Sequence, residues 1–263
     1  MSALFPSRVS QSAKAPSAVT EIRLDDVTFG YERHPAVHHI SGTFRAGSLT
    51  TVVGPNGSGK STLLKGLAGA LPALSGRITR SGFKKADLAY LPQDPGIDRA
   101  FPATLGELVS LGFWARRGLF GQITSKDRHA LAHALQAVGL SGFEERALSS
   151  ISGGQLQRAL FARVLLQEAR VILLDEPFSA TDQRTAQDLM ALVRQWPSEG
   201  RLVVMVTHDL AMAETCGDTV LLLAREPVAW GAPSEVLTEA HLHRARHLCE
   251  AFDDHAHICR RQG

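Results

Sequence analysis

Several things are scarce in this 263-residue chain, and each scarcity excludes something. Its three cysteines, Cys216, Cys249 and Cys259, form an odd and sparse set, which argues against a secreted disulfide framework and for a reducing compartment. No run approaches the roughly 18 consecutive apolar residues of a membrane-spanning helix. The strongest candidates, Leu202 to Val206 and Val220 to Ala224, are strand-sized. Charge of one sign is also missing. The 28 Lys+Arg stand against 26 Asp+Glu, a net +2, so there is no electrostatic case for wrapping a long polyphosphate, and nucleic acid is not expected as a partner. The first residues carry Arg8 and Lys14 but lack the apolar stretch of a secretory signal. Residues 1–19, rich in Ser, Ala and Pro, read as a disordered tail.

What is present is a 44% hydrophobic content, enough to bury the core of one large domain or two small ones. From Val19 to Tyr31 the apolar residues Ile22, Leu24, Val27 and Phe29 alternate as in a half-buried strand, punctuated by Gly30 and Pro35. A β-branched run over Ser48 to Val53 leads into a glycine-rich loop, after which Lys60 to Leu71 has helical periodicity that stops at Pro72. Between about Pro95 and Glu168 strand signal fades and helices are expected over Lys126 to Val138 and Gly154 to Glu168. Strands return at Val171 to Leu174, Leu202 to Val206 and Val220 to Leu223, with a helix over Gln183 to Trp196 between the first two. That alternation predicts a largely parallel sheet. After Pro233 the chain reads as mainly helical, with a His-rich end.

The glycine-rich loop Gly54-Pro55-Asn56-Gly57-Ser58-Gly59-Lys60-Ser61-Thr62 contains GxxxxGK[ST] between a strand and a helix. Glycines let consecutive N–H groups turn inward and the helix terminus adds partial positive charge. Lys60 can neutralise β- and γ-phosphates, and Ser61 offers a hydroxyl to Mg²⁺. Val171 to Asp175 is an apolar run ending in two adjacent carboxylates, Asp175 and Glu176. The first is placed to hold Mg²⁺ and the second to orient attacking water. A second helix opens at Ser152-Gly153-Gly154-Gln155, another phosphate-binding terminus in the same chain.

Together these residues resemble the ATP-binding subunits of ABC transporters: Ile151 to Gln155 is similar to that family's LSGGQ signature, with Ile151 in place of Leu. Further positions match in order. Gln93 in Tyr90-Leu91-Pro92-Gln93 resembles the Q-loop glutamine, a Mg²⁺ and water contact. Ser179-Ala180-Thr181-Asp182 resembles the D-loop, and His208 in Thr207-His208-Asp209 the switch histidine. Tyr31 fits the aromatic that stacks on adenine. The resemblance, over about residues 20 to 235, implies an α/β fold: a P-loop, RecA-like core with an antiparallel β subdomain (about 20–94 and 169–238), an inserted helical subdomain (about 95–168) and a helical extension over 239–263. It implies ATP and Mg²⁺ as cofactors and Lys60, Gln93, Glu176 and His208 as catalytic residues. It also implies a homodimer in which each ATP is closed between the P-loop of one subunit and the signature of the other.

It further implies a separate integral membrane permease, docked near the insert with its aromatics Phe101, Phe113, Trp114 and Phe120. A periplasmic or extracellular binding protein would act through that permease, and the cassette would lie at the cytoplasmic face of a bacterial membrane. Gly96 to Val109 resembles metal-importing cassettes of the zinc and manganese type. Leu222 to Gly231 with Cys249 to Phe252 resembles a zinc-importer branch, so zinc is the expected cargo, with manganese, iron or an iron chelate as alternatives. A soluble cassette ATPase that remodels nucleic acid or ribosomes is the reading of another class; a single cassette and nearly neutral charge weigh against it. His241, His243, His247, Cys249, His255, His257 and Cys259 form either a metal sensor or a solvated tail; His243 and His247 share a helix face, as do His255 and Cys259.

Overall fold

A computed structural model describes residues 19–118, 121–179 and 181–250, so the tail over 1–18, Phe120, Ala180 and the end with Phe252, His255, His257 and Cys259 lie outside the described residues. The chain opens with strands β1 (Glu21–Tyr31), β2 (His34–Arg45) and β3 (Ser48–Val53), then helix α1 (Lys60–Ala68) and strands β4 (Ala73–Ser81) and β5 (Leu88–Leu91). Helices α2 (Leu105–Ser110), α3 (Trp114–Arg117), α4 (Ser125–Ala137) and α5 (Gly153–Gln167) follow. The second half alternates: β6 (Val171–Asp175), α6 (Gln183–Val193), β7 (Leu202–Val206), α7 (Leu210–Cys216), β8 (Thr219–Ala224), β9 (Glu226–Gly231), α8 (Pro233–Val236) and α9 (Glu239–Glu250).

Two sheets result. An antiparallel sheet has the order β2-β1-β4, and a six-stranded sheet the order β5-β6-β7-β3-β8-β9, parallel except for the edge strand β9. The central strands are covered on both faces, which explains their unbroken hydrophobicity. With a side-chain period of two, Val171 and Leu173 of β6 join Leu202, Val204 and Val206 of β7 in one core with α1 and the antiparallel sheet. Ile172, Leu174, Val203 and Met205 point the other way, into a core shared with α2, α4, α5 and α6. A smaller core joins β8 to α8 and α9 through Val220, Leu222, Val236 and Ala245.

The parallel sheet expected from the alternation is present, but four strands carried too little signal to be expected. β2 contains Pro35, which the sequence reading placed as punctuation; it pairs instead with Gly30. β4 and β9 have no fully buried residue, and β5 spans only four positions. Helix α1 ends at Ala68 rather than running to Leu71, because Gly69 takes the left-handed conformation (φ 73°) and its N–H bonds Gly66 O at 3.0 Å. Arg80 of β4 covers the same end, its Nη2 donating to Gly66 O at 2.8 Å. Helix α6 likewise stops at Val193, short of Trp196.

Candidate functional site

The parallel strands β3, β5, β6, β7 and β8 bring their carboxyl ends to one edge of the sheet, the place where open α/β sheets hold ligands. Asp175 lies in register with Val206, and Val206 with Val52, so the chain continuations after β6, β7 and β3 emerge side by side. β5 pairs Leu91 with Leu174, which places Gln93 next to the residues following β6. The sheet order therefore decides which residues meet.

After β3 comes the glycine loop. Its helix begins at Gly59 (φ 90°), where a Cβ would collide with Val37 and crowd Ala36 O at 2.8 Å; no side chain caps this terminus. Lys60 is largely buried and folds back over the loop, its Nζ donating to Gly54 O at 2.9 Å and Pro55 O at 2.8 Å. Ser58 is fully buried and its hydroxyl has no partner among the described residues, an orphan group inside a loop whose amides need an acceptor. From outside, the N–H of Arg225, in the β8–β9 turn, donates to Ser58 O at 3.0 Å, and Arg225 O accepts from His38 N at 2.8 Å. Sequence reasoning missed this brace, because these two bonds run from backbone to backbone.

Ser61 Oγ donates to Asp175 Oδ1 at 3.1 Å, linking the first turn of α1 to the end of β6. Asp175 is buried, and burial with the adjacent Glu176 charge raises its carboxyl above the ordinary range, against the Ser61 bond and the charges of Lys65 and Lys60. A buried carboxylate beside a hydroxyl is a fitting donor pair for a hard divalent cation. Glu176 has a left-handed backbone (φ 47°) held by its N–H to Val206 O at 3.1 Å; such strain is retained where surrounding structure enforces it. Two groups converge on its carboxylate. Gln93 Nε2 donates to Glu176 Oε2 at 3.0 Å, and His208 Nδ1 lies 3.6 Å from the same oxygen.

The other residues surround this centre at different ranges. Tyr31, 46% exposed, ends β1 with Lys65 Nζ 5.8 Å from its ring centroid and 3.4 Å from its hydroxyl. Asp182 caps α6, its Oδ1 accepting from Thr185 N at 2.9 Å and its Oδ2 from Thr185 Oγ1 at 2.8 Å; these bonds hold its carboxyl below the ordinary range. Ser152 to Gln155 sit apart, at the start of α5 in the helical insert. There Ser152 Oγ accepts from Gln155 N (3.2 Å), Gln155 Oε1 accepts from Ser152 N (2.8 Å), and Arg99 reaches Ile151 O (3.4 Å). On the insert's surface Phe101 and Trp114 are exposed (64% and 51%), whereas Phe113 is core. Of the His/Cys set, His241, His243 and His247 lie on α9, and His241 Nδ1 is 3.1 Å from Val236 O. Cys249's side chain is outside the described residues, among which no group of three His, Cys, Asp or Glu side chains is gathered to hold a metal ion.

Comparison with known proteins gives the family. Residues 37–179 match the family model described as ABC transporter. The manganese transport system ATP-binding protein MntB of Listeria monocytogenes is 34% identical over 222 residues, covering 83% of this chain and 92% of that protein. The zinc transport system ATP-binding protein TroB of Treponema pallidum is 33% identical over 237 residues, 89% of each. A solved structure described as a metal-chelate type ABC transporter in an inward-facing conformation superposes with a TM-score of 0.74 at 27% identity, covering 87% of this chain and 89% of that one. The P-loop edge of a parallel sheet, the second helix terminus in the insert and these relatives have one explanation: the chain belongs to the ABC transporter family, as an ATP-binding cassette that hydrolyses ATP.

Proposed function

We propose that this cassette powers uptake of a divalent transition metal, with zinc as the cargo, through a separate integral membrane permease served by an external metal-binding protein. The observation that carries the enzymatic part is the meeting of Gln93 and His208 on one oxygen of Glu176, beside Lys60, Ser61 and Asp175. In this reading Lys60 and the loop amides of Gly54 to Thr62 hold the triphosphate, and Tyr31 stacks on adenine. Ser61, Asp175 and Gln93 would hold Mg²⁺, which when bound supplies charge neutralisation across the β- and γ-phosphates. Glu176 accepts a hydrogen bond from the attacking water and aligns it. Gln93 and His208 fix that carboxylate, and the exposed His208 imidazole faces the site from the adjacent strand end. Such chemistry is mainly positioning and charge stabilisation.

Ser152 to Gln155 lie on the insert, so they serve the nucleotide held by a second copy. Two subunits then close head to tail on ATP, with Asp182 at the seam, and reopen after hydrolysis. The exposed Phe101 and Trp114 suit a permease contact at the membrane's cytoplasmic face. The metal reading is supported by relatives named for manganese and for zinc transport, and zinc by the resemblance, in sequence alone, of Leu222 to Gly231 with Cys249 to Phe252 to a zinc-importer branch. The test is growth of a bacterial deletion strain in chelator-limited medium with zinc, manganese or iron restored singly. Rescue by zinc alone is expected. Rescue by manganese or iron alone would overturn the cargo, and the absence of any metal phenotype would overturn metal transport.

A further inference from the structure

Helix α9 carries a feature that ATP hydrolysis does not use. It is seated on β8 and β9 by the buried Ala245 and the half-buried Leu242, which turns His243 and His247 outward on exposed, consecutive turns. Positions i and i+4 share a face of a helix. Here the two rings meet edge to face with centroids 4.3 Å apart, and the two Nε2 atoms are 3.2 Å apart. Zinc bonds imidazole nitrogen at about 2.0–2.1 Å in tetrahedral geometry, which sets two nitrogens on one ion about 3.3 Å apart. The pair is therefore already at chelating separation.

We propose that His243 and His247 form a two-point metal site on α9, taking a transition metal ion of the zinc class through both Nε2 atoms, with water completing the coordination. One ring now donates an Nε2–H to the other. On binding, that proton moves to Nδ1 of the same ring, so both Nε2 lone pairs face the ion and no net proton is released from neutral rings. Imidazole donors favour zinc, copper and nickel over magnesium and manganese, which prefer oxygen. The site is separate from the Ser61 and Asp175 pair and takes a different class of ion. It does not rest on the cargo reading, since binding is measured on the isolated chain without transport.

The experiment is a zinc chloride titration of the full nucleotide-free chain, followed by the imidazole NMR signals of His243 and His247, assigned from His243→Gln and His247→Gln. Both residues are exposed, so neither substitution disturbs the core. The two signals are expected to shift together and saturate at one ion per pair. In each single variant the remaining ring should need about a hundredfold more zinc, because the second contact is no longer intramolecular. Millimolar magnesium should leave both signals in place. Rings that stay unmoved while zinc binds elsewhere on the chain, single variants that titrate like wild type, or displacement of zinc by magnesium would each overturn the site.

Discussion

Two helix N-termini in this chain offer amide groups to an anion, and they are built in opposite ways. Helix α1 starts at a left-handed glycine with no side-chain cap, its loop contains an orphan hydroxyl, and its lysine folds onto loop carbonyls. Helix α5 is closed on itself: Ser152 and Gln155 exchange hydrogen bonds in a capping box. The first is left needing a ligand. The second satisfies itself until one arrives, which suits the proposed head-to-tail dimer, where this terminus would meet nucleotide only on closure. Glycine at the N-cap gives up only about a few tenths of a kcal/mol relative to a side-chain cap, so α1 keeps its first amides open to a ligand at little cost.

Breaking the α1 side should have the largest effects. Glu176→Gln removes the carboxylate on which Gln93 and His208 converge, and steady-state ATP hydrolysis should fall about a thousandfold while nucleotide affinity stays near wild type. Size-exclusion chromatography with ATP should show the variant accumulating as a closed dimer; turnover near wild type would remove Glu176 from its role. Lys60→Ala acts one step earlier. Each charge-assisted hydrogen bond is worth about 1.5–3 kcal/mol, so affinity for a fluorescent ATP analogue should drop about ten- to a hundredfold, and unchanged affinity would count against the phosphate cradle.

The α5 side should respond differently. Ser152→Ala should leave nucleotide affinity of the dilute single subunit unchanged, yet lower turnover at saturating ATP about tenfold, by removing one hydrogen-bonding group from the nucleotide of the proposed second subunit. The lost cap should also cost about 1 kcal/mol of stability in thermal unfolding. Equal loss of single-subunit affinity in Ser152→Ala and Lys60→Ala would erase the contrast between the two termini.

How much of this was legible beforehand follows the physics of each element. Strands buried on both faces, such as Val171–Asp175 and Leu202–Val206, announce themselves as unbroken apolar runs. Edge and surface strands do not: every residue of β9 is half-buried, and β2 carries Pro35 and three further interruptions at His38, His39 and Gly42. The P-loop and both carboxylates could be read because each is one contiguous segment. The meeting of Gln93 with Glu176, 83 residues apart, could not be derived from local pattern, since it depends on β5 pairing with β6. The Arg225 contact to Ser58 had no side-chain signature at all, and the left-handed backbone of Glu176 is visible only once Val206 holds it.

The smallest effect separates stability from function within the α1 site. Asp175 is buried, and burial is the main reason its carboxyl lies above the ordinary range. For an acid, a native pKa raised above the unfolded value means the native state holds its proton more tightly. Ionisation therefore costs stability: the penalty is full above the native pKa, shrinks as pH falls through it, and vanishes below the unfolded pKa near 4. Asp175→Asn removes that penalty while keeping an oxygen to accept from Ser61. The nucleotide-free, magnesium-free variant should thus unfold a few degrees higher than wild type at pH 7, where 1 kcal/mol corresponds to about 2–4 °C for a chain of this size, and lose the advantage near pH 4. ATP hydrolysis should collapse in the same variant, because the charge that burdens the empty fold is the one proposed to hold the cation. A wild type more stable than Asp175→Asn at pH 7 would mean that the Ser61 bond and the charges of Lys60 and Lys65 already compensate the buried carboxylate. The α1 site would then be as self-satisfied as the capped terminus of α5.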